Sequence, residues 1–166
     1  MYVELKFSNP NIEELPQGRL IALDMGTKKV GVAICDEMQI TTRPLTSLKR
    51  TKFENLLRSV SKIIGDFDAK GLVIGLPLNM NGSESISSKE ARTIAQKFSL
   101  SLTIPVFLQD ERLTSEEAKE RLFEEGVHFS KIREMIDSKA AAIILEDFLD
   151  LANSLRNKVE KSLTEI

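Results

Sequence analysis

With a single cysteine, Cys35, and a single histidine, His128, the sequence can form neither an internal disulfide framework nor a Cys/His zinc site. A lone thiol suits a reducing compartment and points to the cytoplasm. Cys35 follows Ile34 in an apolar run and has no partnering histidine, so it reads as a small core or strand-end residue rather than a nucleophile. His128 stands alone in a loop and is assigned no role. An excess of one charge is also missing: Lys and Arg number 23 against 25 for Asp and Glu, a formal charge of −2. The chain as a whole does not attract a polyanion, so any nucleic-acid contact must be local. No apolar run approaches the roughly 20 residues that span a bilayer; Ala140 to Leu145 is bounded by Lys139 and Glu146. Met1 to Gln17 lacks both the basic start and the apolar stretch of a secretory signal and reads as an N-terminal extension.

What remains is 166 residues, 42% hydrophobic and 29% charged, enough for one globular core. Arg19 to Asp24 and Val30 to Ile34 are short apolar runs on either side of the turn Gly26-Thr27-Lys28-Lys29, which predicts two paired strands. Ile40 to Leu48 suits an edge of the same meander, with Pro44 where no ladder donor is needed. Phe53, Leu56, Leu57, Val60, Ile63 and Ile64 recur at helical spacing between Lys52 and Phe67. Gly71 to Gly75 is a short, continuously apolar run, hence a buried parallel strand, and opens into a loop at Pro77 to Ser85. A helix over Ser87 to Leu100, a strand over Ile104 to Gln109 and a helix from Thr114 to a cap at Gly126 follow. Val127 to Ile136 reads as a loop or short turn, and Asp137-Ser138 as the start of a last helix, Lys139 to about Asn153. The expected fold is α/β: a five-stranded mixed sheet, a three-strand antiparallel meander plus two parallel strands, flanked by helices. The domain spans 18–153, between the extension 1–17 and a C-terminal tail 154–166.

Chemistry gathers at element ends. Asp24 closes the first strand, Asp110 and Glu111 follow the last, and Asp137 opens the final helix. If the first and last strands end side by side, these acids meet in the crevice where α/β sheets bind ligands. Such hard oxygen ligands select Mg²⁺ or Mn²⁺, as a pair of ions about 3.5–4 Å apart that activates water and steadies the leaving oxygen. Each acid also has an ordinary reading: Asp24 as an Asp-x-Gly turn, Asp137 as an N-cap, Glu111 as a solvated strand end. Thr27, Lys28 and Lys29 form either a phosphate-binding turn or an exposed basic hairpin. Asn79, with Asn81 and Ser83, either donates to a nucleic-acid backbone or belongs to a plain Pro-Gly turn. Arg112 meets phosphate or pairs with a neighbouring acid. Lys49, Arg50 and Lys52 form either a solvated helix entry or a contact to RNA.

Ala22-Leu23-Asp24-Met25-Gly26-Thr27-Lys28-Lys29-Val30-Gly31-Val32-Ala33, Val73-Ile74-Gly75-Leu76-Pro77-Leu78-Asn79-Met80-Asn81-Gly82, Asp110-Glu111-Arg112-Leu113-Thr114 and Asp137-Ser138-Lys139-Ala140-Ala141-Ala142-Ile143-Ile144-Leu145 together resemble the YqgF family. That bacterial family is also described as Holliday junction resolvases, is similar in fold to RuvC and RNase H, and is associated with processing the 5′ end of precursor 16S rRNA. The resemblance, over roughly Gly18 to Asp150, implies an RNase H-like nuclease. It matches Asp24, Glu111 and Asp137 to the family's acidic catalytic set, with Asp110 adjacent and Lys28 or Arg112 near substrate. The family's glycine-proline loop often continues with Asp-Gly, whereas Asn81-Gly82 stands here. The implied activity is metal-dependent, endonucleolytic cutting of precursor 16S rRNA, with the assembling ribosome as a further partner. The alternatives are resolution of branched DNA, which needs two opposed active sites and hence a dimer, and a ribosome-assembly module that binds RNA without cutting it. A phosphate loop of the actin and sugar-kinase kind, at Asp24 to Thr27, would need two such halves around a nucleotide, and the chain has room for one.

Overall fold

The computed structural model describes residues 15–111 and 114–165. In chain order it contains β1 (Leu20–Met25), β2 (Lys29–Cys35), β3 (Thr42–Lys49), α1 (Phe53–Phe67), β4 (Gly71–Leu76), α2 (Ile86–Ser101), β5 (Val106–Asp110), α3 (Thr114–Glu124) and α4 (Phe129–Thr164). The strands lie side by side as β3-β2-β1-β4-β5. Pairing is antiparallel within the opening meander and parallel across β1, β4 and β5. This is the RNase H-like sheet that the motifs imply. Pro44 sits in the outer strand opposite Ala33, at an edge of the sheet, where strands tolerate proline.

Strand alternation divides the core in two. On one face Ile21, Leu23, Val32, Leu72, Ile74 and Leu108 meet Leu56 and Val60 of α1 and Ala95 and Phe98 of α2. Phe53 stands edge-on to Phe98, with ring centroids 5.0 Å apart. On the other face Leu20, Ala22, Cys35, Val73 and Phe107 lie under Ile144, Leu145, Phe148 and Leu149 of α4. Each large side chain so buried contributes roughly 1.5–3 kcal/mol. Helix α4 approaches the sheet most closely where both surfaces are small: Ala33 faces Ala141 and Ala142, and Gly31 lies against the backbone at Asp137. Cys35 is a core residue, its sulfur accepting from the Leu20 amide at 3.1 Å.

Most boundaries fall within two residues of those read from the sequence. The end of the chain differs. Val127 to Ile136 is not a loop, because α4 begins at Phe129, and the helix does not stop near Asn153 but runs to Thr164. His128 is the cap, its ring nitrogen accepting from the Ser130 amide at 3.3 Å. Gly126, at φ +78°, ends α3 in the left-handed conformation, and Val127 returns a hydrogen bond to the Leu122 carbonyl at 3.0 Å. Phe129 and Met135 are exposed, and before Asp137 Ile132 is buried and Ile136 partly so, a stripe too short to mark a helix in sequence. Among the described residues no helix is long and apolar enough to cross a membrane.

Candidate active site

The alternation that builds the core also brings the acids together. Leu20 and Ala22 face α4, so Asp24, the next residue in that register, does too. Phe107 faces α4 as well, and Glu111 follows it in the same phase, just past β5. Because β1, β4 and β5 are parallel neighbours, the C-terminal ends of β1 and β5 open on one side of the sheet. Between them β4 supplies Gly75, and Glu111 fills the space that a side chain there would take: an added Cβ would lie 2.6 Å from Glu111 Oε2. The Glu111 amide donates to the Leu76 carbonyl at 3.2 Å and fixes the chain as it leaves the sheet.

Asp137 reaches the same place from α4. Its backbone rests on Gly31, and the next residue, Ser138, accepts from the Val32 amide through Oγ at 3.3 Å. The Asp137 carboxylate points at the β1–β2 turn, with Oδ1 3.6 Å from the position of a Cβ on Gly26. Asp137 therefore lies inside a helix, well past its cap, and the N-cap reading is overturned.

Burial raises the Asp24 carboxyl above its ordinary range; a hydrogen bond from Glu111 pulls it down, and repulsion from Asp137 raises it further. Glu111 is raised more, by burial first and then by the Asp24 charge, the shared hydrogen bond and Asp110. Both carboxyls are thus raised and hydrogen-bonded to each other, an arrangement that favours a shared proton over two adjacent charges. Burial also raises Asp137, while the Lys29 charge draws it down. Among the described residues no three Asp, Glu, His or Cys side chains form a ready cage for a metal ion. What is present is a hydrogen-bonded carboxyl pair with a third carboxylate within electrostatic reach. The donor set suits a hard divalent cation, and exchanging a proton for one would offset the burial that raises all three carboxyls and the repulsion that adds to it at Asp24 and Glu111.

Thr27, Lys28 and Lys29 are exposed on the β1–β2 turn. Arg50 holds that turn from outside: its amide donates to the Lys28 carbonyl at 2.9 Å, and its guanidinium to the Gly26 carbonyl at 2.7 Å and to Glu90 of α2 at 2.6 Å. Read from sequence as part of a solvated helix entry, Arg50 is instead a clamp between turn and helix. A cleft of about 270 Å³, lined by Met25, Thr27, Arg50, Pro77, Ser87 and Glu90, runs beside it. Asp110 ends β5 opposite Leu76. Asn79 is exposed on the loop after β4, but its side-chain amide donates to Ser83 Oγ at 3.0 Å and to the Glu84 carbonyl at 3.3 Å, closing the loop on itself. Arg112 lies outside the described residues. Gly31 and Gly75 were missed as site residues, although glycine within a strand is itself a signal of close approach. The sequence marked Arg50 only as part of the basic Lys49-Arg50-Lys52 cluster, and nothing in it pointed to a clamp on the turn.

A family model described as RuvX, Holliday junction resolvase, matches residues 18–151. A protein of Novosphingobium aromaticivorans is 43% identical over 133 residues, covering 80% of this chain and 85% of that one. One of Anaeromyxobacter sp. is 38% identical over 132 residues, covering 80% and 96%. Both carry the provisional name pre-16S rRNA nuclease. Among solved structures, T. thermophilus RuvC in complex with Holliday junction substrate aligns with a TM-score of 0.52 at 12% identity, covering 80% of this chain and 94% of that one. At that identity the likeness is one of fold.

Proposed function

Because this chain belongs to the RuvX family of Holliday junction resolvases, a family of phosphodiester hydrolases, we propose that it is an endonuclease that trims precursor 16S rRNA at Asp24, Glu111 and Asp137. The observation that carries the reading is the convergence of these three acids, from β1, the end of β5 and α4, at one end of the sheet. Asp24, Glu111 and Asp137 would hold Mg²⁺ or Mn²⁺, as one ion or a pair, with Asp110 beside them. When bound, such cations supply an activated water and charge stabilisation for in-line displacement at phosphorus. The chain's own part is positional. Gly75 and the Leu76 carbonyl hold Glu111 against Asp24, and Gly31 and Ser138 fix Asp137 over the sheet. Lys28 and Lys29 offer ammonium groups to the phosphates on either side of the cut. Arg112 would add a planar, two-pronged contact to phosphate.

The RNA reading rests on the curated relatives, which are named for it at 38–43% identity. It carries with it a cytoplasmic location and contact with the assembling ribosome, and the free thiol of Cys35 agrees with a reducing compartment. The family description itself supports a second reading, resolution of branched DNA. The test is cleavage of a precursor 16S fragment and of a four-way DNA junction by purified protein with Mg²⁺ or Mn²⁺, at one fixed salt concentration. Cutting of the RNA, abolished in Asp24→Asn with the fold intact, is expected. An Asp24→Asn variant that cuts as fast as the parent sinks the assignment of the site, and cutting of the junction alone sinks the choice of RNA.

A further inference from the structure

Beside the acids lies a second surface, a groove of about 880 Å³ between α3 and the first turns of α4. Lys119, Glu120 and Phe123 line it from α3, and Phe129, Arg133 and Ile136 from α4. Phe123 is 72% exposed and Phe129 83%, although both are large apolar side chains. An apolar surface left open in this way marks a place where something binds.

We propose that the groove receives unpaired bases of the strand being cut, stacked on Phe123 and Phe129. The inference rests on the nuclease reading and adds to it a preference for single-stranded flanks. Continuity is the first argument: Ile136 lines the groove and Asp137 is the next residue of the same helix. At 1.5 Å per residue, Phe129 lies about 12 Å along the axis from Asp137, a reach of about three or four stacked nucleotides. Charge is the second. The chain is net negative, so phosphate must be met locally; Lys119 and Arg133 stand on the groove and Lys131 is exposed on the adjoining turn of α4. Among the described residues that line the groove, two are basic, Lys119 and Arg133, and one, Glu120, is acidic. Aromatic faces interleaved with cations along a channel are how proteins hold single strands, because every base has a face to stack. An apolar helix from a protein partner would use the phenylalanines but would give Arg133 and Lys131 nothing to meet.

The test is fluorescence anisotropy in metal-free buffer at fixed salt, with a short single-stranded RNA and a blunt duplex of the same sequence as probes. The parent should prefer the single strand. Phe123→Ala and Phe129→Ala should each weaken that binding about fivefold or more, while Phe129→Leu, which keeps apolar volume but loses the flat face, should weaken it too. Lys119→Ala and Arg133→Ala should flatten the salt dependence. Both rings are exposed, so thermal unfolding should show these variants folded. Equal binding of strand and duplex by the parent overturns the proposal, as does unchanged binding by the phenylalanine variants. It is also overturned if those variants instead convert a dimer to a monomer in sedimentation, since the groove would then belong to a second copy. Loss of stacking with cleavage never observed for the parent would defeat the nuclease reading alone. Cleavage and strand binding that ignore both phenylalanines would defeat this one alone.

Discussion

Gly31 lies directly beneath the peptide bond that leaves Asp137: a Cβ at Gly31 would stand 2.0 Å from the Asp137 carbonyl oxygen and 2.8 Å from the Ser138 nitrogen. The neighbour is helix backbone, which no rotamer change can move aside. Gly31→Ala should therefore lift α4 from the sheet, lower stability by about 1–3 kcal/mol as overpacking does, and carry Asp137 away from Asp24. Thermal unfolding and cleavage assays should fall together. A variant with the parent's melting temperature would show that α4 does not sit this close.

Gly75→Ala makes the contrasting case. Its Cβ would meet Glu111 Oε2 at 2.6 Å and Ile144 Cδ1 at 2.7 Å, the far ends of two flexible side chains. The fold can yield there by turning Glu111 out of the site. Cleavage should drop at least tenfold, about 1.4 kcal/mol of transition-state stabilisation, with less loss of stability than in Gly31→Ala. Comparing the two ratios of activity to melting temperature is the measurement, and identical ratios would refute the distinction.

Burial lifts Glu111 from 4.5 to about 9 and Asp24 from 3.8 to about 6. With both values raised on folding, the folded chain binds more protons than the unfolded one across this window. The stabilisation is complete below the ordinary carboxylate range and is lost as pH rises through the folded values. Metal-free protein should melt at progressively lower temperature from mildly acidic to alkaline pH, and Glu111→Gln, which keeps a donor toward Asp24 but cannot ionise, should flatten the alkaline part of that slope. A divalent cation competes with the same proton, so calorimetry in buffers of different ionisation heat should show proton release on binding. Parallel slopes for parent and Glu111→Gln would contradict the shared proton.

Arg50→Ala removes two hydrogen bonds that tie the Gly26 carbonyl and Glu90 together. Since the turn carries Lys28 and Lys29, the expected effect is on substrate handling: a raised KM with a smaller change in kcat, and faster amide exchange at the turn. Lys in place of Arg offers one point of contact where the guanidinium makes two, so Arg50→Lys should recover only part of the loss. A change in melting temperature with KM untouched would mean a purely structural clamp.

The sheet was legible because strand ends announce themselves: Asp24-Met25-Gly26 and Asp110-Glu111 each break an apolar run. Alternation then carried Asp24 and Glu111 to one face. Asp137 was legible as an acid but not in its setting. Asp-Ser has the look of a cap, and the true start of α4 opens on an exposed Phe129 with Ile132 and Ile136 turned inward, too short a stripe to stand out from a loop. Beyond Asn153, Val159 and Leu163 are likewise exposed, so the helix continues there without the amphipathic pattern that would predict it. The contact between the Asp24 and Glu111 carboxyls, and the rise it brings to both, had no signature at all, because it depends on how deeply two distant residues are buried against each other.

Pro44, on the outermost strand, bears on how two molecules could meet. A proline on an edge strand blunts it against an incoming strand, and the charged side chains of Arg43 and Lys49 stand on the same strand. A two-fold partnership of the kind junction cutting requires cannot then be made by stitching two sheets into one along β3. If it forms, the opposite edge at β5, helices or loops must carry it.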